Sequence, residues 1–303
     1  MIISNTMKHT FRTKLVKATT LGVATLLLFT LSACKDDDPG DFVNYAETAV
    51  QYVQFEDVTA ELFVLFHRAV SDTALISQGT AIIDSAVVIF SLNLADSSAM
   101  LYFDYGTDGK TMPDGSVRKG ELFASWEKPY HHSEVALLAS TQNYMVDDVT
   151  VKGIYLYHNT GETAGGKIKF EIIMDLSFHR NDVKICDFYS ERNYFWETGF
   201  NEPFKTINHV FSAPAQTITE GTFYEITTLP APEISFTTSF TDSFIIHFKC
   251  DNPVKQGNFE ILMFHESLPS INLSGEFIDN DLDGCAEKVI LKNDENFGYP
   301  FYL

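Results

Sequence analysis

In this 303-residue chain the most site-like run is Asp279-Asn280-Asp281-Leu282-Asp283-Gly284. Carboxylates at alternate positions before a glycine turn can converge on Ca²⁺, a hard cation that takes about six to eight oxygen ligands. Set against an EF-hand loop, Asp279, Asp281, Asp283 and Gly284 fall on the first, third, fifth and sixth positions and Glu287 on the ninth. The last position, where a bidentate Glu belongs, holds Ile290, and the flanking segments read as strands. Two expectations stand side by side: a calcium site at Asp279, Asp281, Asp283 and Glu287, or a solvated acidic hairpin with no cofactor at all. Cysteine supplies a second chemistry. Besides Cys34 there are Cys186, Cys250 and Cys285. Outside the cytoplasm an odd count of this kind suggests one disulfide and one thiol. Cys250 and Cys285 end or follow late strands close in sequence and are the expected pair, which leaves Cys186 as a buried free thiol.

Other chemistry is thin. His131 and His132 lie near Glu134, but adjacent residues on a strand point to opposite faces and do not chelate together. Trp126, Tyr130, Tyr194 and Trp196 could stack on sugar rings if exposed, although aromatic side chains more often pack in cores. No HExxH, GxSxG, P-loop or dinucleotide fingerprint is present, and no catalytic residue is assigned. Nothing singles out a pair of carboxylates of the kind glycosidases use.

The N-terminus has a different logic. Lys8, Arg12, Lys14 and Lys17 form a basic flank, and an apolar run follows from Ala18 to Leu31. That run suits a signal peptide, and it is shorter than the roughly 20 residues a spanning helix needs. Met7 gives a better-proportioned start than Met1. Leu31-Ser32-Ala33-Cys34 resembles the lipobox of bacterial lipoproteins. The resemblance implies that residues 1–33 are removed and that Cys34 is acylated, each buried methylene adding about 0.8 kcal/mol of membrane affinity. Lys35-Asp36-Asp37-Asp38 reads physically as part of a charged tether over residues 34–46. It also resembles the surface-export signal of Bacteroidota lipoproteins, which places Lys35, Asp36 and Asp37 as an address for the outer face of the outer membrane. A periplasm-facing lipoprotein is the alternative.

Removing residues 1–33 takes four of the 21 basic residues and none of the 41 acidic ones, so the mature chain carries −24. Such a field repels phosphate backbones and disfavours nucleic acid as a partner. Residues 47–80 read as a helical segment, with Asp57 as a capping residue and Val58, Leu62, Leu65, Phe66 and Ala69 at helical spacing. The expectation is one helix lying on a sheet, with His67 in no functional role.

From about residue 81 to 303 the period is two. Ile168, Phe170, Ile172, Met174, Leu176 and Phe178 alternate with more polar positions, as do Phe244, Ile246 and Phe248. Turn residues such as Asp108-Gly109, Asp114-Gly115 and Asn252-Pro253 separate the runs. The expected fold is therefore mainly β: large antiparallel sheets, as a meander or sandwich, behind one N-terminal helix. Residues 102–109 and 277–284 share a strand–Asp–turn pattern that hints at duplication.

Asp104-Tyr105-Gly106, Asp114-Gly115, Arg118, Gly120, Asn143-Tyr144, Val149 and Gly153 occur in an order that resembles a recurring pattern in surface lipoproteins of the Bacteroidota. Trp196-Glu197-Thr198-Gly199, the strand ending at Cys250, Gly257 and the turn at Cys285 extend it over residues 83–295. At that turn the chain departs from the pattern, with Asp281-Leu282-Asp283-Gly284 replacing a glycine-rich turn. Asp72-Thr73-Ala74 and Asp84-Ser85-Ala86 resemble O-glycosylation acceptors of exported proteins from the same bacteria. No activity comes with the resemblance. The functional expectation is a non-catalytic envelope lipoprotein that meets the outer membrane through its lipid and binds a glycan or an envelope protein. A glycan-binding accessory of a polysaccharide-uptake system and an envelope hydrolase on a β scaffold are the alternatives.

Overall fold

The computed structural model describes residues 39–303, apart from 96, 114, 128–129, 131, 200–208, 216, 225–232, 251–252, 267, 280–284 and 294–297, with side chains from Tyr45 onward. The chain divides at Val43, and the unit Asn44–Leu303 holds the fold. Residues 1–33, Cys34, Lys35, Asp36 and Asp37 lie outside the described residues, as do His131, Asp281 and Asp283.

Two helices open the body: α1 (Pro39–Ser71) and α2 (Thr73–Gln78). The strands among the described residues are β1 (Thr80–Ile83), β2 (Ala86–Asn93), β3 (Ser98–Asp104), β4 (Lys110–Thr111), β5 (Val117–Glu127), β6 (Val135–Val146), β7 (Val149–Glu162), β8 (Ile168–Arg180) and β9 (Val183–Thr198). They continue as β10 (Val210–Ala213), β11 (Ile218–Phe223), β12 (Ile234–Phe240), β13 (Phe244–His247), β14 (Val254–Gln256), β15 (Asn258–His265), β16 (Leu268–Ile278), β17 (Lys288–Asn293) and β18 (Gly298–Tyr302). Every pairing is antiparallel. The chain is mainly β, in one large sheet.

Pairing runs β1–β2–β3–β5–β6–β7–β8–β9 as a meander. The long strand β9 then serves two partners, β11 along its first half and β10 near its end. One branch continues β11–β12–β15–β16–β17–β18 and the other β10–β13–β14. The period-two residues explain the two faces. In β8, Phe170, Ile172, Met174, Leu176 and Phe178 are buried, while Glu171 and Asp175 point to solvent.

The inner face packs around α1 on nearly all sides. Phe66 meets Phe103 of β3, Phe63 meets Tyr157 of β7 and Phe211 of β10, and Phe55 stacks on Phe178 of β8 at 3.8 Å. Tyr52 touches Phe188, Phe236 and Phe259, which come from β9, β12 and β15. Ala49, Val53, Ala60 and Ala69 are each 0% exposed. A helix apolar over most of its circumference belongs inside a core. The sheet therefore wraps α1, where the sequence suggests a helix lying on a sheet.

The polar residues of α1 that reach the surface form one narrow stripe: Glu47, Gln51, Gln54, Asp57, Glu61 and Arg68. From Glu47 to Glu61 the spacing is three or four residues, and Arg68 follows two turns further on, so all six lie along one line of the helix.

Three local differences from the expected layout have physical causes. Asp57 lies mid-helix on that polar stripe, where no helix begins. The cap is Asp72, whose carboxylate accepts N–H bonds from Ala74 at 2.8 Å and Leu75 at 3.0 Å, which ends α1 and starts α2. The helix also begins at Pro39, inside the segment assigned to the tether; proline suits a first helical position, where its missing N–H has no partner to lose.

The sheet bends at a corner built from two bulges. The β5–β6 register shifts between Lys119 and Glu121, and the β6–β7 register shifts between Thr141 and Tyr144. Gly120 sits there at φ +80°, where a Cβ would lie 2.0 Å from the Asn143 carbonyl oxygen. Backbone bonds from Tyr105 to Gly120 (3.0 Å) and from Gly120 to Gly106 (3.1 Å) close the corner.

Candidate functional site

Two residues before Gly120, Arg118 lies at this corner. Arg118, only 4% exposed, leaves it toward the polar stripe of α1 and forms an ion pair with Glu61. Tyr105 and Tyr144 pack beside it with ring centroids 5.8 Å apart. The segments that carried the sequence pattern thus meet in space: Tyr105-Gly106 before β4, Arg118 and Gly120 in β5, and Asn143-Tyr144 in β6.

Beside Arg118 the polar stripe looks into a cleft of about 740 Å³. Phe55, Val58 and Phe178 make an apolar floor. One wall is the start of β5 with the β6–β7 turn, where the Asp147 carboxylate accepts the Val117 N–H at 2.8 Å and the Asp148 carboxylate accepts the Arg180 Nε–H at 2.7 Å. The other wall holds Lys249, the Cys250–Cys285 disulfide and Glu287, whose carbonyl accepts the Leu303 N–H at 2.9 Å. A smaller cleft of about 160 Å³ continues past Glu61 toward Arg68, where Arg68 pairs with Asp84 at 2.5 Å. The line of clefts follows the polar stripe. It offers carboxylates, guanidinium groups and an ammonium over aromatic rings, a set that binds polar ligands of mixed charge.

The structure joins Cys250 to Cys285, with Cα atoms 5.5 Å apart, and leaves Cys186 buried and unpaired. Burial pushes the Cys186 thiol up, so it stays protonated and inert. Asp279 follows β16, and Glu287 stands in the cleft wall. Among the described residues no group of three or more His, Cys, Asp or Glu is placed to hold a metal ion, and Asp281 and Asp283 are outside that set. His132 is exposed. The four aromatics considered for sugar stacking are core residues: Trp126, Tyr130, Tyr194 and Trp196 are 6%, 4%, 2% and 2% exposed. Tyr130 instead bonds through its hydroxyl to His67 Nδ1 at 2.8 Å, deep among rings. Thr73 is exposed at the start of α2, and Ser85 forms the β1–β2 turn at φ 66°.

The chain matches no protein-family model, no curated protein and no solved structure. The geometry stands on its own.

Sequence patterning missed a fully buried ion pair. Glu56 of α1 and Arg192 of β9 pair at 2.6 Å with side chains 1% and 0% exposed. Arg192 also donates to Ser190 Oγ at 2.7 Å and to Thr219 Oγ1 at 2.8 Å, while the Tyr52 hydroxyl donates to Glu56 at 2.6 Å. Burial opposes the charge on Arg192, yet Glu56 beside it holds its pKa above the ordinary value. Burial, reinforced by Glu56, keeps Tyr52 neutral far above its usual range. The signal was present as parity. Arg192 occupies the same inward register as Phe188, Tyr194 and Trp196, where an unpaired charge could not sit.

Proposed function

We propose that this chain is a lipid-anchored protein of the cell envelope, held by acylated Cys34, displayed outward through Lys35, Asp36 and Asp37, and acting as a binding module. The observation that carries the binding role is the cleft of about 740 Å³ along the polar stripe of α1. Its volume falls in the range of about 300–1,000 Å³ usual for ligand sites, and it combines an apolar floor with a few convergent charged groups. The mixed charge of Arg118, Arg180 and Lys249 with Asp57, Asp147, Asp148 and Glu287 suits a polar ligand of little net charge, such as a peptide or glycan of the envelope. Trp126, Tyr130, Tyr194 and Trp196 lie in the core and offer a glycan no stacking surface, whereas the exposed ring of Tyr302 stands in the cleft lining.

Thermal unfolding in the presence of envelope peptides and glycans tests the binding role. A ligand raises the melting temperature of the wild type, and Ser116→Trp at the cleft rim removes the rise. A rise that survives Ser116→Trp places the ligand elsewhere and overturns this site. Protease shaving of intact cells tests display. The wild type is cut, and a chain with alanine at Lys35, Asp36 and Asp37 is protected; equal protection rejects the address.

A further inference from the structure

We infer that the end of the body carrying the β15–β16 hairpin lies against the lipid bilayer, with Phe264 and Leu262 as its contact. The inference rests on the acylation of Cys34 proposed above. Four residues separate Cys34 from Pro39, the first residue of α1. Those five chain steps reach at most about 18 Å when extended. The helix from Pro39 to Tyr45 adds about 9 Å at roughly 1.5 Å per residue. Tyr45 therefore stays within about 27 Å of the acylated residue, whatever path the linking residues take.

Tyr45 fixes which part of the sheet is there. Its hydroxyl donates to the Pro269 carbonyl at 3.2 Å, which ties the first turns of α1 to the start of β16. The β15–β16 hairpin is thus the anchored end. On β15, Ile261 and Met263 point inward and are 0% exposed, while Leu262 and Phe264 point outward and are 37% and 45% exposed. Their cross-strand neighbours on that wall are polar: Thr237 and Asn272 flank Leu262, and Ser235 flanks Phe264. Packing within the body does not account for two large apolar groups there, whereas an acyl–headgroup boundary takes such side chains. The acidic balance of the chain and Glu266 beside the hairpin select an uncharged, zwitterionic surface over an anionic one.

A second exposed apolar group, Ile82, Val87, Ile89 and Met100 on β1–β3, lies at the other end. The Arg68–Asp84 pair holds the β1–β2 turn beside the last turns of α1, about 35 Å along the helix from Tyr45. It supplies the internal control.

The test uses the full acylated chain in phosphatidylcholine vesicles that contain doxyl-labelled lipid. Trp126 and Trp196 are buried, so the wild type gives the baseline. The emission added by Phe264→Trp is quenched severalfold more strongly than that added by Ile89→Trp. Equal quenching at the two positions, or stronger quenching at Ile89→Trp, overturns the orientation. Circular dichroism checks each variant, and Leu262→Trp replaces Phe264→Trp if the latter does not fold. Mass analysis of the N-terminal peptide separates the two levels. A bare Cys34 rejects the anchor itself, whereas an acylated Cys34 without quenching at Phe264→Trp rejects only the orientation.

Discussion

Glu56 and Arg192 carry opposite charges in a place without water. Desolvation makes each costly, and their mutual attraction with the surrounding hydroxyls offsets the cost only while both are present. Arg192→Met therefore strands the Glu56 carboxylate and lowers unfolding free energy by about 3–5 kcal/mol in urea titration. The double variant Glu56→Leu with Arg192→Met costs less than Arg192→Met alone; a double variant at least as unstable as the single would mean that the pair contributes net stability. Neither partner was legible beforehand, because 136 residues separate them and no local rule links the two positions. The disulfide differs: alternation running toward Cys250 and a late strand before Cys285 can be seen in the period and suffice to suggest the partner, although β13 itself stops at His247. Arg118 lay between these cases. Its neighbours in the chain were noticed, but its target Glu61 sits on another element.

At the level of elements, alternation made most of the strands readable, since one face of each is wet. Lys167–Phe178 shows why: every second residue of β8 from Phe170 to Phe178 is buried, and those between them are partly or fully exposed. Alternation states which face is inward but not how far the sheet curls. That information is held in the bulges, where the register slips by one residue. Gly153 of β7 occupies such a place at φ +144°, where a Cβ would lie 2.1 Å from the Asp175 carbonyl oxygen of β8. Gly153→Ala must push β7 from β8 or strain the backbone. The expected loss is about 1–3 kcal/mol or more, measured by denaturant titration. A neutral result would show that the two strands separate freely at that point. The helix was read from its period, yet its enclosure on all but one narrow side was not, because the apolar positions of α1 cover most of its circumference. The narrow polar line from Glu47 to Arg68 was the missing clue.

For the molecule as a whole, the core is a store of phenol groups. Tyr52, Tyr105, Tyr130, Tyr155, Tyr157 and Tyr194 all have raised pKa values, with burial as the first cause. Unfolded tyrosine ionises near pH 10. Above that pH the unfolded chain releases protons that the folded chain keeps, so stability is full below about pH 10 and falls as the pH rises through it. The denaturant midpoint drops between pH 9 and pH 11, and Tyr155→Phe makes the drop shallower; an unchanged slope would show that water reaches these rings. Enclosure of α1 also sets an order in time. Tyr45 waits 224 residues for Pro269, and Tyr52 waits 186 for Thr238. At about 5–20 residues per second, ribosomal synthesis separates Tyr45 from Pro269 by roughly 11–45 s. Through that interval α1 is without the strands that cover it, and its buried face closes only when the last third of the chain has been made.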